Sequence, residues 1–248
     1  MRQIEMQGGS TQRTQVIYAR LAGFLFLWLI VTGLAGAITT SRIAGSGAFP
    51  EIAKRVVGSE HLYRAALSSE LIETMSALLL AFALYATLRP VDRLLAQLAM
   101  YWRVGESLIG CVGITAGFVK LRLYTSYSQG VFGDDQARAL VDLAGKAGNA
   151  TVIIGSLFFS IGSLLFFFVF LKSRYIPRIL SAFGVFASVV VTIMCFGNLI
   201  FPEYSGRLLY GWAPMAVAEV TTGFWLMFGV KIPASPNLQP AEPMAIGA

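Results

Sequence analysis

Apolar positions fill six long stretches of the chain, and each is followed by a shorter polar interruption. A helix of about 20 apolar residues is long enough to cross a bilayer core of about 30 Å. Inside that core an α-helix satisfies its own backbone hydrogen bonds. The pattern therefore predicts an all-α integral membrane bundle of six transmembrane helices, at residues 16–39, 66–88, 94–119, 150–171, 179–201 and 208–230.

Two of the polar connections carry helix signals of their own. In residues 41–65, Pro50 suits the first turn of a short helix. In residues 120–149, Asp134 can cap a helix that begins at Asp135. We expect short amphipathic helices in both of these loops, the first and the third.

The pattern divides the chain into three parts. Residues 1–15 form a polar N-terminal segment, residues 16–231 form the six-helix transmembrane domain, and residues 232–248 form a Pro-rich tail that we expect to be disordered. The small residues at 35–37 have the form of a signal-peptidase site, but the apolar run and the polar leader before them are both long. We interpret the first apolar stretch as a retained span.

Composition supports a membrane protein and argues against nucleic-acid binding. The chain is 56% hydrophobic and 13% charged, whereas soluble domains carry roughly 25% charged residues. Its net charge of +6 comes from basic residues between the apolar stretches, where they act as topology signals. Five of them crowd two short turns, at residues 89–93 and 172–178. We therefore place both termini in the cytoplasm of a bacterial cell, with the protein in its inner membrane.

Residues for common cofactor or catalytic chemistry are sparse. Cys111 and Cys195 both lie in apolar stretches, and His61 is the single histidine. The sequence has no phosphate-binding loop, no Gly-x-Ser-x-Gly turn and no His-Glu-x-x-His motif. We therefore predict no catalytic residue, no metal site and no cofactor, and we consider an enzyme less favoured than a non-enzyme.

The stretch "YWRVGESLIG" places charges where lipid would exclude them. Its Arg103 and Glu106 share one face of the third span. At 1.5 Å of rise per residue, both lie about 14 to 18 Å inward from the cytoplasmic end, and Glu73 and Glu219 lie about 18 to 22 Å inward on their own spans. Ionised groups at this depth cost several kcal/mol unless they find partners. We predict a buried charged cluster of Glu73, Arg103, Glu106 and Glu219.

The charges of the predicted cluster do not balance, because it contains one arginine and three glutamates. The excess carboxylates must be protonated, hydrated or matched by a cation from outside the chain. Glu70, His61 and Arg64 lie further out on the second span or just before it. We assign these three residues to an outer mouth of the cluster.

Several motifs in order resemble one bacterial family of polytopic membrane proteins, catalogued as domain of unknown function 4386. The resemblance covers about residues 15–232 and lies in the segments "YARLAGFLFLWLIVTG", "LRPVDRLLA", "RVGES", "FLKSRYIPRIL", "LIFPEY" and "AEVTTGFWLMFGVK". It implies a helical protein with several spans and no assigned activity.

Three functions remain open on this evidence. The protein is a small transporter or a proton- or cation-coupled carrier that uses the buried Arg/Glu cluster. Alternatively, it is a non-catalytic accessory subunit, or a sensor of a lipid or apolar ligand, in which the charges only lock helix packing. An intramembrane enzyme with a carboxylate acid or base is the third. Expected partners are membrane lipids, a small cation, a proton or an apolar ligand, in a homo-oligomer or a larger membrane complex.

Overall fold

The chain folds into helices joined by short turns. The computed structural model describes residues 2–204, 206 and 209–232, with side chains for all of these except 2–11 and 209. The helices are α1 Arg2–Ala44, α2 Phe49–Gly58, α3 Glu60–Leu88, α4 Arg93–Ser128, α5 Asp134–Ser173, α6 Arg178–Ile200 and α7 Trp212–Phe228. Two 3-10 turns, Pro202–Tyr204 and Leu209–Gly211, join α6 to α7, and the described residues contain no strand. The all-α prediction is confirmed.

Five helices in the described part of the chain are long and apolar enough to cross a membrane. They are residues Gln12–Ala44 of α1 and the whole of α3, α4, α5 and α6. The six-span count is not confirmed, because α7 has 17 residues and is about 26 Å long. Pro214 explains its late start, since proline has no N–H to bond and fits the first turn of a helix. The predicted sixth span therefore begins as a 3-10 turn.

The first polar connection holds the expected short helix, which is α2. Pro50 lies in its first turn, and α2 buries Ala53 and Val56 while its charged residues face outward. Val56 contributes to a small apolar cluster with Leu121 of α4 and Val141 of α5. This cluster stabilises α4 and α5 beyond their apolar stretches.

The third polar connection differs from the prediction. Residues 120–149 contain no separate amphipathic helix, because α4 continues to Ser128 and α5 already begins at Asp134. At 36 and 40 residues, these helices are about 54 and 60 Å long and exceed the bilayer core. Asp134 also does not cap the helix from outside: Gly133 holds that position, and Asp134 Oδ1 accepts a hydrogen bond from the Tyr127 hydroxyl at 2.9 Å.

The long helices pack in a closed ring that follows their order in the chain. Helix α1 packs on α3, α3 on α4, α4 on α5, α5 on α6, α6 on α7, and α7 returns to α1. Helix α3 also touches α5 across the interior. We call this arrangement the helix ring. Its consequence is that α4 and α7 face each other across the interior without backbone contact among the described residues.

The two ends of the helix ring differ. The turns at residues 89–92 and 174–177 lie at one end, which we call the short-turn end, and α2 marks the other, the α2 end. Near the short-turn end the interior is packed with apolar side chains, including Leu84, Phe167 and Phe170. Towards the α2 end, charged residues replace them.

The terminal segments pack at the short-turn end. Helix α1 begins at Arg2, so residues 2–15 of the predicted polar segment form the first part of this helix. Gln12 Nε2 donates to the Ile232 carbonyl at 2.7 Å, and Gln15 Nε2 donates to the Thr87 carbonyl at 2.7 Å. Ile232, predicted as the first residue of the tail, is buried. The rest of the predicted tail, residues 233–248, lies outside the described residues.

Candidate functional site

The face that α4 turns towards the ring interior carries an arginine. Its first buried residues are Ala96, Ala99, Arg103 and Ser107, spaced three or four apart as one face of a helix requires. Small residues on either side of Arg103 let the neighbouring helices approach it closely. Arg103 is consequently only 3% exposed, although it carries a permanent charge.

Helix α5 forms the wall against which Arg103 lies. A Cβ atom at Gly162 would lie 2.9 Å from Arg103 Cγ and 3.2 Å from the Ala99 carbonyl oxygen, so only glycine leaves room for the side chain. One turn away, the Phe159 ring centroid lies 4.6 Å from Arg103 Cζ. A guanidinium over an aromatic face is stabilised by the ring quadrupole. Helix α5 thus supplies both space and a favourable surface for this charge.

Arg103 forms an ion pair within its own helix. Its Nη1 lies 3.0 Å from Glu106 Oε2, and the Glu106 side chain is 21% exposed. Neither of these two atoms makes an aligned hydrogen bond, and Arg103 Nε has no hydrogen-bond partner among the described residues. Charge attraction therefore holds the pair, and the guanidinium keeps unused donors.

Two further carboxylates reach the same region from other helices. Glu73 on α3 and Glu219 on α7 are both half-buried, and each interacts electrostatically with Arg103. They also interact with each other and with Glu106. Because α7 does not pack on α4 in the described chain, these interactions cross the ring interior. Among the described residues Arg103 forms an ion pair with Glu106 alone, so Glu73 and Glu219 interact with the guanidinium at longer range, and a single buried cluster of the four residues stays a prediction.

Glu70 extends this group towards the α2 end. It is half-buried one turn from Glu73 and interacts electrostatically with Glu73 and with Lys120 of α4. Two glycines of α1 make room for these carboxylates: a Cβ at Gly36 would lie 2.7 Å from Glu70 Cγ, and one at Gly33 would lie 3.4 Å from Glu73 Cγ. The acidic face of α3 therefore lies directly against α1.

The two other residues assigned to the outer mouth lie nearer the surface. Arg64 Nη2 pairs with Glu60 Oε1 at 2.7 Å, four residues back on α3. His61 is exposed in the first turn of that helix. The structure thus joins Glu70 to the cluster through Glu73 and places Arg64 in a separate surface pair.

On the short-turn side of Arg103 the interior is aromatic. A small cavity of about 10 Å³ is lined by Phe26, Leu84, Arg103, Ser163, Phe166, Phe167 and Phe170. These residues come from four helices of the ring. Arg103 therefore separates an acidic region from an aromatic plug, which we define as Phe26, Phe166, Phe167 and Phe170.

Sequence reasoning missed the residues that hold Arg103 in place. Gly162 and Phe159 lie in an apolar stretch where neither stands out, and only the small neighbours in "FSIGS" hinted at close packing. Lys120 was assigned to a loop, but it lies in α4 beside Glu70. Among the described residues, no group of three His, Cys, Asp or Glu side chains is placed to hold a metal ion.

A family comparison covers most of the chain. The model of a domain of unknown function (DUF4386) matches residues 21–229. The chain belongs to the DUF4386 family. This match includes Glu73, Arg103, Glu106 and Glu219, so the cluster lies within the DUF4386 domain. No curated protein and no solved structure matches this DUF4386 protein. The family description assigns no activity.

Proposed function

We propose that this DUF4386 protein is a small membrane carrier that is coupled to a proton or a small cation and uses the buried Arg/Glu cluster of Glu73, Arg103, Glu106 and Glu219. The observation that supports it is the buried ion pair of Arg103 with Glu106, together with the electrostatic interaction of Glu73 and Glu219, on two other helices, with the same guanidinium. Such groups inside a membrane are costly, and they commonly mark ion or proton pathways.

A bound proton or small cation would balance the charge of the cluster. Arginine stays protonated, so with all three glutamates ionised the group would carry two uncompensated negative charges. An unpaired buried charge is strongly unfavourable. Binding of a proton or small cation by the carboxylates relieves this imbalance.

The ion pair gives the cluster a means of coupling. When Glu106 binds a proton, Arg103 loses its partner on α4 and turns to Glu73 on α3 or Glu219 on α7. Cation binding thereby changes which helices the guanidinium holds together. A carrier needs such a difference between two states, because a ligand shifts an equilibrium only by its differential affinity for them.

The proposed carrier takes up its cation from one side. Glu70 and Lys120 lead inward from the α2 end, while the aromatic plug fills the interior towards the short-turn end. Cations therefore reach Glu106 through Glu70 and Glu73. Movement of the aromatic plug then opens a path from the cluster to the short-turn end.

The proposal includes a location and an orientation. Helix α7 serves as the sixth span, because the bilayer thins locally to match a helix slightly shorter than its core. The short-turn end, which carries the basic turns, faces the cytoplasm of a bacterial cell, and both ends of the chain lie there. The protein resides in the bacterial inner membrane.

Glu106→Gln tests the carrier proposal. The purified protein is reconstituted into liposomes loaded with a pH-sensitive dye, and decay of an imposed proton gradient is measured. We expect wild-type protein to speed the decay and Glu106→Gln to abolish this effect, because an amide does not bind the proton. Glu203→Gln, at an exposed glutamate in a turn, is the matched control and retains wild-type flux.

The same variants separate the carrier from the alternative function. If the charges only lock packing in an accessory subunit or a sensor, wild-type liposomes show no protein-dependent flux. Glu106→Gln and Arg103→Met then change only the thermal unfolding midpoint. That combination, repeated with sodium and potassium gradients, would refute the carrier proposal.

A further inference from the structure

We propose that the short-turn end binds the phosphate headgroup of an anionic phospholipid through four arginines, Arg89, Arg93, Arg174 and Arg178. This proposal does not depend on carrier activity, since it concerns a different part of the molecule. A phosphodiester with a single negative charge, as in phosphatidylglycerol, is the chemistry that fits.

Two turns that are distant in sequence form this site together. Lys172 Nζ, at the end of α5, lies 2.9 Å from Asp92 Oδ2, in the turn before α4. Arg93 follows Asp92 directly, and Arg174 lies two residues after Lys172. The ion pair therefore holds the two turns that carry the arginines next to each other.

The four arginines have no partner within the described chain. Each is exposed, and none of their side chains makes a hydrogen bond or an ion pair among the described residues. Arg174 even occupies the left-handed region, with φ of 57°, a conformation that most side chains avoid. Guanidinium groups present paired N–H donors that match the oxygens of a phosphate.

The acidic residue at this end is already engaged. Asp92 is the one carboxylate among the described side chains at the short-turn end. The backbone N–H of Leu95, followed by Lys172, holds the pKa of Asp92 below its ordinary value of 3.8. Asp92 thus stays ionised and pairs with Lys172, which leaves the charge of the arginines uncompensated.

Apolar side chains lie next to these arginines. Leu94 follows Arg93 and is 79% exposed, and Ile179 follows Arg178 and is 86% exposed. A lipid whose headgroup lies on the arginines would place its acyl chain against such residues. This pairing of free cations with exposed apolar neighbours favours a phospholipid over a free anion.

Spin-labelled lipids test the site on the full chain in phosphatidylcholine bilayers. The association of labelled phosphatidylglycerol relative to labelled phosphatidylcholine is measured by electron spin resonance. A surface Lys or Arg contributes about 1 kcal/mol to anionic lipid binding, or about fivefold. We expect a preference for phosphatidylglycerol in the wild type, and a loss of about fivefold for each arginine removed in Arg89→Gln/Arg174→Gln.

Two matched variants control this measurement. Arg122→Gln/Arg138→Gln removes two exposed arginines from the α2 end and is expected to leave the preference unchanged. Arg89→Lys/Arg174→Lys keeps the charge and is expected to keep most of the preference, and a wild-type thermal unfolding midpoint for Arg89→Gln/Arg174→Gln shows that the glutamine variant is folded.

Three outcomes would overturn the lipid site. Wild-type protein would show no preference for the anionic lipid, or the control pair at the α2 end would lose as much of it as the pair in the turns. Competition by millimolar inorganic phosphate would instead indicate a site for a free anion. Since Glu106→Gln is expected to keep the lipid preference, failure of the carrier proposal is distinguishable from failure of this one.

Discussion

At the scale of single residues, Arg103 is the buried charged side chain around which the neighbouring helices pack. It is buried among apolar residues, yet it has an ion partner, an aromatic face and a glycine that makes room for it. Each of these lowers the cost of a charge away from water. The same contacts restrict which substitutions the site accepts.

A pair of glycines on α5 tests this close fit. Gly162→Ala is expected to destabilise the protein by about 1–3 kcal/mol, because the new Cβ would meet Arg103 and the Ala99 carbonyl. Gly145→Ala, in the same helix, meets nothing within 4 Å and is expected to stabilise it by about 0.5–1 kcal/mol. Thermal unfolding in detergent measures both, and equal effects of the two changes would contradict the proposed packing.

Charged residues of the site were predictable from sequence, but the residues that hold them were not. Arg103 and Glu106 stand out because ionised groups are rare in apolar stretches. Phe159 and Gly162 resemble any lipid-facing or packing residue, since their role depends on how α5 is rotated against α4. One sequence contains no signal for that rotation.

At the scale of helices, length was harder to predict than position. The apolar stretches indicated where α3 and α6 lie, but α4 and α5 continue well beyond theirs. Hydropathy marks where lipid ends, whereas a helix continues as long as something packs on it. Here Val56 of α2 packs with Leu121 and Val141 in one cluster, and this contact depends on the fold.

The start of α4 yields a prediction about pH. Asp92 Oδ1 accepts a hydrogen bond from the Leu95 N–H at 3.1 Å, and its lowered pKa reflects this bond first and Lys172 second. A depressed pKa contributes stability above the unfolded value, and that stability is lost as pH falls through the folded value. We therefore expect the stabilising contribution of Asp92 to be complete well above its ordinary pKa of 3.8 and to be lost progressively as pH falls from there through its lower folded pKa.

Comparison of Asp92→Ala with wild type across pH measures this contribution. The difference between their thermal midpoints is expected to be large near about pH 6 and to shrink near about pH 3. If the thermal midpoints of Asp92→Ala and wild type still differed as much at about pH 3 as at about pH 6, the pH-dependent contribution of Asp92 would be contradicted.

At the scale of the whole molecule, the closed ring is the feature that the sequence did not reveal. Short turns predict that consecutive helices are neighbours, as α3 and α4 are. They do not predict that α7 returns to α1, which brings Glu219 opposite Arg103. Convergence of the charges was predicted from depth alone, and depth does not determine which helices are neighbours around the ring.

One-sided access to the ring interior is testable with cysteines. In a background of Cys111→Ala and Cys195→Ala, Glu70→Cys is expected to react with a charged thiol reagent added from the α2 end. Ser163→Cys lines the cavity beside the aromatic plug and is 7% exposed, so it is expected to resist the reagent from both sides. Rapid labelling of Ser163→Cys would show that the plug does not seal the interior.

The order of helices around the ring also affects how the protein is made. Every helix–helix interface of the ring but one joins long helices that are consecutive in the chain. Each of these interfaces can therefore form as soon as the second of its two helices has been synthesised. The interface between α7 and α1 forms only after the last helix has been synthesised. Until then the partly synthesised bundle is open between α1 and α6 and lacks Glu219. Synthesis stalled before α7 would therefore leave a cleft facing lipid, a natural target for membrane quality control.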